Sequence, residues 1–124
     1  MTAQDDHLAQ VQRNLAMLEH LLANADSLGP GALQWAVIVA FYAAVHCVEA
    51  HFRSIGLPLS VHHRERNERL RAAGVPYAVV DSYKQLREWS EQARYLLGSF
   101  DADFVQNVVV LELRVVLEFV GLSY

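Results

Sequence analysis

Tyr42, His46, Glu49 and Arg53 step along the chain by four, three and four residues. A helix would set them in one line. Together they offer an imidazole that titrates near neutral pH, a carboxylate, and a guanidinium able to hold an anion. The second concentration of such groups is His62-His-Arg-Glu-Arg-Asn-Glu-Arg-Leu-Arg71, with four arginines against two glutamates. At helical spacing His62, Arg66 and Arg69 share one side, and His63, Asn67 and Leu70 another. Glu65 and Arg69 stand in the favourable i,i+4 order, so part of this run is ordinary surface pairing. The plain reading is a solvated charged face. The sharper one is a phosphate site in which His62 moves a proton and Arg66 holds oxygens.

Metal is a further alternative. His46 with Glu49 and His62 with Glu65 repeat a His-x-x-Glu spacing that two helices of a bundle could bring together. Known carboxylate bundles use Glu-x-x-His and extra glutamates, which are not evident here, so no metal ligand and no cofactor is assigned. Cys47 stands alone in the most apolar stretch, which excludes an internal disulfide and a cysteine zinc knuckle. No nucleophile triad, phosphate-binding glycine loop or dinucleotide fingerprint is present. His7, His20 and His51 read as surface histidines.

The elements that must position these groups are helical. Trp35 to Arg53 carries Ile38, Phe41, Val45, Val48 and Phe52 on one apolar face. Ala36, Ala40, Ala43, Ala44, Cys47 and Ala50 are small enough for close helix packing. The spacing predicts a central helix from about Ala32 to Ile55. A first helix is expected over Asp5 to Asn24, on Leu8, Val11, Leu15, Leu18 and Leu22. Leu28-Gly-Pro-Gly31 breaks it. Ser54-Ile-Gly56-Leu-Pro58 and Ala72-Ala-Gly74-Val-Pro76 repeat one stop signal, Gly just past a helix and Pro two residues on. Between them a short helix is expected over Val61 to Ala73, capped by Ser60.

A fourth helix is expected over Tyr77 to Leu97, with Val80, Tyr83, Leu86, Trp89, Ala93 and Leu97 inward and Gly98-Ser99 at its end. Asp101 or Asp103 opens the last segment, Phe104 to Gly121. Its valine-rich middle has strand composition, but Asn107, Arg114 and Glu118 fall at helical spacing and the run is too long for a strand. It reads as a helix buried on most sides. The sum is one all-α domain, residues 1–124, an antiparallel bundle of four long helices and a short one.

The 124 residues are 53% hydrophobic and only 19% charged, which excludes a disordered chain. That apolar content points to a surface covered by a partner, most simply a second copy. A net charge of −4 argues against unspecific coating of nucleic acid but leaves room for a local basic patch. Met-Thr-Ala-Gln-Asp-Asp-His has no basic region before an apolar core, and the apolar run Ala36–Val45 is followed at once by His46, Glu49 and Arg53. Neither a secretion signal nor a membrane span is expected, and the cytoplasm is the expected compartment.

Phe41-Tyr-Ala-Ala-Val-His46-Cys-Val-Glu-Ala50, then Ser60-Val-His62-His-Arg-Glu-Arg66-Asn67, then Tyr83-Lys-Gln-Leu86 and Ser90-Glu-Gln-Ala-Arg94-Tyr95 resemble small bacterial HEPN-type proteins. The resemblance runs from roughly Trp35 to Leu97. It implies a HEPN-like helical bundle and a homodimer. Characterised members are mostly ribonucleases of toxin–antitoxin and defence systems, or non-catalytic nucleotide- and RNA-binding modules. A cognate nucleotidyltransferase-like protein is an implied partner. Catalytic members carry Arg and then His, with four to six residues between them, late in the domain. No such pair follows residue 20. Arg13 and His20 have the spacing but stand on the first helix, and the middle of the chain has the reverse order, His62 then Arg66.

The first expectation is therefore a dimeric, non-catalytic HEPN-like module that binds a nucleotide, RNA or partner protein, using Tyr42, Glu49, Arg94 and Tyr95. The alternative is a metal-independent ribonuclease, with His46 or His62 as acid or base and Arg66 and Arg94 on phosphate. A metal-binding bundle stands behind that. In the remaining reading all these groups are structural, and Tyr42, His46, Glu49 and Arg53 bond to Arg94, Tyr95 and the third helix.

Overall fold

A computed structural model describes residues 2–60, 62–96 and 99–124. Its elements are α1 (Ala3–Ala23), α2 (Ala25–Leu28), α3 (Gly31–Ser54), α4 (His63–Ala72), α5 (Tyr77–Tyr95), α6 (Ala102–Phe104), a π-helical turn (Val105–Val109) and α7 (Val110–Phe119). The described chain is all-helical. The expected positions Val61, Leu97 and Gly98 lie outside the described residues.

The fold is built on α3. Val37, Phe41, Ala44, Val48 and Phe52 are buried, and the small residues between them let α1 lie along one side while α5 and α7 pack on others. This helix is long and apolar enough to cross a membrane by length and composition, but much of it is covered by the other helices. Leu15, Leu18 and Val11 of α1 and Leu113, Val116 and Leu117 of α7 complete the same core. Cys47 has no exposed surface there, and burial pushes its thiol up to about 12.

Local signals set the helix ends. Thr2 and Asp5 form a reciprocal cap at the start of α1: the Asp5 N–H donates to Thr2 Oγ1 and the Thr2 N–H to Asp5 Oδ2, each at 3.1 Å. After α3, Gly56 takes φ 81°, the Leu57 N–H reaches the Phe52 carbonyl at 2.8 Å, and the Gly56 N–H reaches that of Arg53 at 3.1 Å. Gly74 ends α4 in the same way, with φ 72°.

Three expectations change. The extra turn α2 follows α1 before the Gly29-Pro30-Gly31 break. His62, not Ser60, caps α4: its Nδ1 accepts the Glu65 N–H at 3.2 Å, because its backbone is extended (φ −150°, ψ 169°). The last segment is helical from Ala102 to Phe119, interrupted by the π turn, with Asp101 Oδ1 accepting the Phe104 N–H at 2.7 Å. It is buried on one side only, since Gln106, Asn107, Val108 and Leu111 face outward.

Candidate binding site

The polar line of α3 divides between two surroundings. Glu49 is 1% exposed, and its carboxylate is fully occupied. Arg53 Nη2 donates to Oε1 at 3.1 Å, the Ser60 N–H to the same oxygen at 2.9 Å, and Arg66 Nε approaches Oε2 at 3.4 Å. Arg66 is itself buried, and its Nη1 donates to the Tyr83 hydroxyl at 3.2 Å and lies 2.9 Å from His63 Nδ1. Arg53 also donates to the Leu57 carbonyl, and Arg69 to that of Pro58. The cluster ties α3, α4 and α5 together and pins the α3–α4 loop. Two buried opposite charges with their hydrogen-bonding capacity filled are a structural arrangement, since each would be costly alone.

His46 lies beside this cluster, and its partner is on α1. The Nδ1 atoms of His7 and His46 are 3.0 Å apart, one donating and the other accepting. Burial lowers the pKa of both imidazoles; His7 and Arg66 lower that of His46 further, Arg53 and Arg66 that of His7, and Glu49 opposes the shift in each. Burial likewise lowers the pKa of His63, helped by Arg66, Arg87 and Arg94, and raises that of Tyr83.

Tyr42 and Arg94 belong to the other, open surrounding. Arg94 Nη1 donates to the Tyr42 hydroxyl at 3.0 Å, and Nε to the Ser90 carbonyl at 3.3 Å. Its guanidinium carbon lies 5.8, 5.7 and 5.0 Å from the rings of Phe41, Tyr42 and Tyr95. Those rings hold the cation in place while Nη2 keeps no hydrogen-bond partner among the described residues. Beside it opens a cavity of about 330 Å³ between α3 and α5, lined by Gln34, Trp35, Ile38, Tyr42, Ala93 and Arg94. Gln34 Nε2 donates to the Ala93 carbonyl at 2.5 Å, joining two of the lining residues. Trp35 is 60% exposed and Tyr95 71%.

Compared with known proteins, the chain matches no family model and no curated sequence. The site is therefore read from its own geometry.

Of the residues singled out by sequence, the structure joins Tyr42, Arg94 and Tyr95 in the open cluster and Glu49 with Arg66 in the buried one. His46 borders the buried cluster. His62 is exposed and spends its Nδ1 on its own helix. Helical spacing had placed His62 with Arg66. Because His62 precedes the helix in extended backbone, Arg66 instead shares its inner side with His63. Arg13 bonds to Gln10 within α1, and His20 to Asn24, the residue that caps its C-terminal end. Among the described residues no group of three or more His, Cys, Asp or Glu side chains comes together as a metal site.

Sequence reasoning missed Trp35, Gln34, His7 and the pairing of Arg66 with His63 and Tyr83. Trp35, Ile38 and Tyr42 are spaced by three and four, so the cavity's α3 wall had a periodic signal. His7 had none: it meets His46 only because α1 packs on α3.

Proposed function

We propose that this protein is a non-catalytic, HEPN-like binding module whose ligand is a nucleotide unit, free or within RNA. The observation that carries the reading is the Arg94 guanidinium, held by aromatic rings beside an open cavity walled by Trp35 and Tyr42. A planar base stacks on such rings, and an arginine nitrogen left without a partner suits a phosphate oxygen or a base-edge acceptor. The ribonuclease alternative has no comparable support. Its acid–base candidates His46 and His62 are engaged with His7 and with the start of α4, and Arg66 is enclosed with Glu49.

The antiparallel HEPN-like arrangement, the homodimer, a cytoplasmic bacterial setting and a defence or toxin–antitoxin role belong to the same reading. The dimer is supported by the exposed apolar side chains of Val108 and Leu111 on the last helical segment.

Titration calorimetry with UMP and AMP tests the ligand. Saturable binding at micromolar to low-millimolar concentration, with no cleavage of an oligoribonucleotide, is the expected result. Absence of heat with both nucleotides would remove the reading, and cleavage abolished by His62→Ala would replace it with the ribonuclease. Light scattering at micromolar protein should give twice the mass of the chain, and a monomer would remove the dimer.

A further inference from the structure

The cavity at Arg94 does not stand alone on α5. Lys84, Arg87, Glu91 and Arg94 step by three, four and three residues, so they form one row over about 15 Å. Next to the first half of that row lie two grooves of about 250 and 390 Å³, both lined by Asn67, Lys84 and Arg87. Glu88 and Glu91 offset the two cations in the smaller one, and Glu68 is, among the described residues, the one carboxylate lining the larger. Arg64 and Arg71 of α4 line the larger one.

The cations here are weakly committed. Among the described residues Lys84 and Arg71 have no carboxylate within ion-pair distance. Arg64 pairs with Glu68 at 3.3 Å where both are exposed. Arg87 Nε lies 3.2 Å from Glu91 Oε1 but is not aligned to donate to it. Such surface pairs contribute little, so the arginines can turn to another anion at small cost. Asn67 Oδ1 is buried without a donor where the two grooves share their wall, and turning the amide would present its NH₂ there instead. Burial is the main cause of the lowered pKa of His63, and Arg66, Arg87 and Arg94 add to it against Glu91, so Arg87 and Arg94 of the row act on one point beside α4.

Among the described residues the larger groove carries four cations against one carboxylate. A positive groove beside aromatic platforms is the general arrangement for single-stranded nucleic acid, with phosphates on the cations and bases on the rings. Resting on the reading above, we propose that the ligand is a single-stranded chain of several nucleotides. One base occupies the Trp35–Tyr42 cavity, and the neighbouring phosphates lie along the α4–α5 groove on Lys84, Arg87 and Arg71. This gives the protein a preference for a chain over a free nucleotide, which the cavity alone would not supply. It also reconciles polyanion binding with an overall charge of −4, because the binding face is local.

The test is fluorescence anisotropy with a labelled twelve-nucleotide oligouridine at several salt concentrations, beside calorimetry with UMP and competition by inorganic tripolyphosphate. The proteins are the wild type, Lys84→Glu/Arg87→Glu, the milder Lys84→Gln/Arg87→Gln, and Arg94→Ala, each checked for helical circular dichroism. The wild type should bind the oligomer at least tenfold more tightly than UMP. Both double variants should weaken oligomer binding and lower the salt slope by about 1.4, two phosphates at about 0.7 each on a single strand. They should leave UMP binding unchanged, whereas Arg94→Ala should weaken both ligands. Should the folded double variants bind the oligomer as the wild type does, the groove proposal is overturned while nucleotide binding at the cavity stands. Tripolyphosphate competing as strongly as the oligomer would overturn the role of the bases. If the wild type binds neither UMP nor oligomer, the cavity reading falls with it.

Discussion

Glu49–Arg66 and Tyr42–Arg94 each set an arginine against a polar side chain of α3, brought by α4 in one case and by α5 in the other, and they end in opposite states. Around Glu49 every strong hydrogen-bonding group is turned on another, and water is excluded. Around Arg94 the guanidinium is framed by rings, one nitrogen is unspent and the adjoining space is open. The cause lies in what surrounds each position. The Glu49 level of α3 is roofed by the α3–α4 loop, which needs donors and acceptors to close it. The Tyr42 level faces the C-terminal end of α5, where Tyr95 and Leu96 are exposed. Charged residues on a central helix thus say little about function until their partners are known: a satisfied cluster holds the fold, and an unsatisfied one is available to a ligand.

The largest effect that would sharpen this contrast is expected at the closed cluster. Glu49→Ala leaves Arg66 buried without its counter-charge and the Ser60 N–H without an acceptor, and should cost about 3–5 kcal/mol in urea denaturation. A loss below about 1 kcal/mol would mean that the cluster is not structural. Next comes the open site. Trp35→Ala should weaken nucleotide binding by about 1–3 kcal/mol, the usual worth of a base–ring stack, with the melting temperature nearly unchanged. A large stability loss with unchanged affinity would turn the comparison around.

A smaller effect is expected from pH. Burial lowers the pKa of His7, His46, His51 and His63 below the ordinary 6.5, so the folded chain holds fewer protons than the unfolded one beneath that value. Their contribution is complete above about pH 6.5, declines as the pH falls below it, and levels off once the folded imidazoles are protonated too. The melting temperature should therefore fall between pH 7 and 5, and His7→Gln/His46→Gln should flatten that fall. A rise on acidification would contradict the burial account. The smallest effect is an absence of one: Cys47 should resist a disulfide reagent in the native protein and react fully in urea, since its thiol is buried and pushed up to about 12. Rapid native labelling would show that α3 is less enclosed than described.

Much of this architecture was legible from residue order. The apolar stripe Ile38–Phe52 and the Gly-x-Pro stops at Gly56 and Gly74 are local patterns, and they mark α3 and the ends of α3 and α4. The register of α4 was not legible, because one extended residue, His62, shifts which side chains count as helical neighbours. The π turn at Val105–Val109 leaves no local mark in a run of valines. The site was half legible. Tyr42, Arg94 and Tyr95 were named from the sequence and stand together, whereas Glu49, named with them, is closed by a loop that helical periodicity does not describe. Contacts such as His7 with His46 depend on how two helices settle together, and no spacing encodes that.

The account turns on Arg94 binding a ligand while the Glu49 cluster keeps the fold. The most direct test is a UMP titration of Arg94→Gln beside the wild type, with the melting temperature of each recorded in the same buffer. The predicted result is at least a tenfold loss of affinity with melting temperatures within a few degrees of each other. An unchanged affinity would contradict the account.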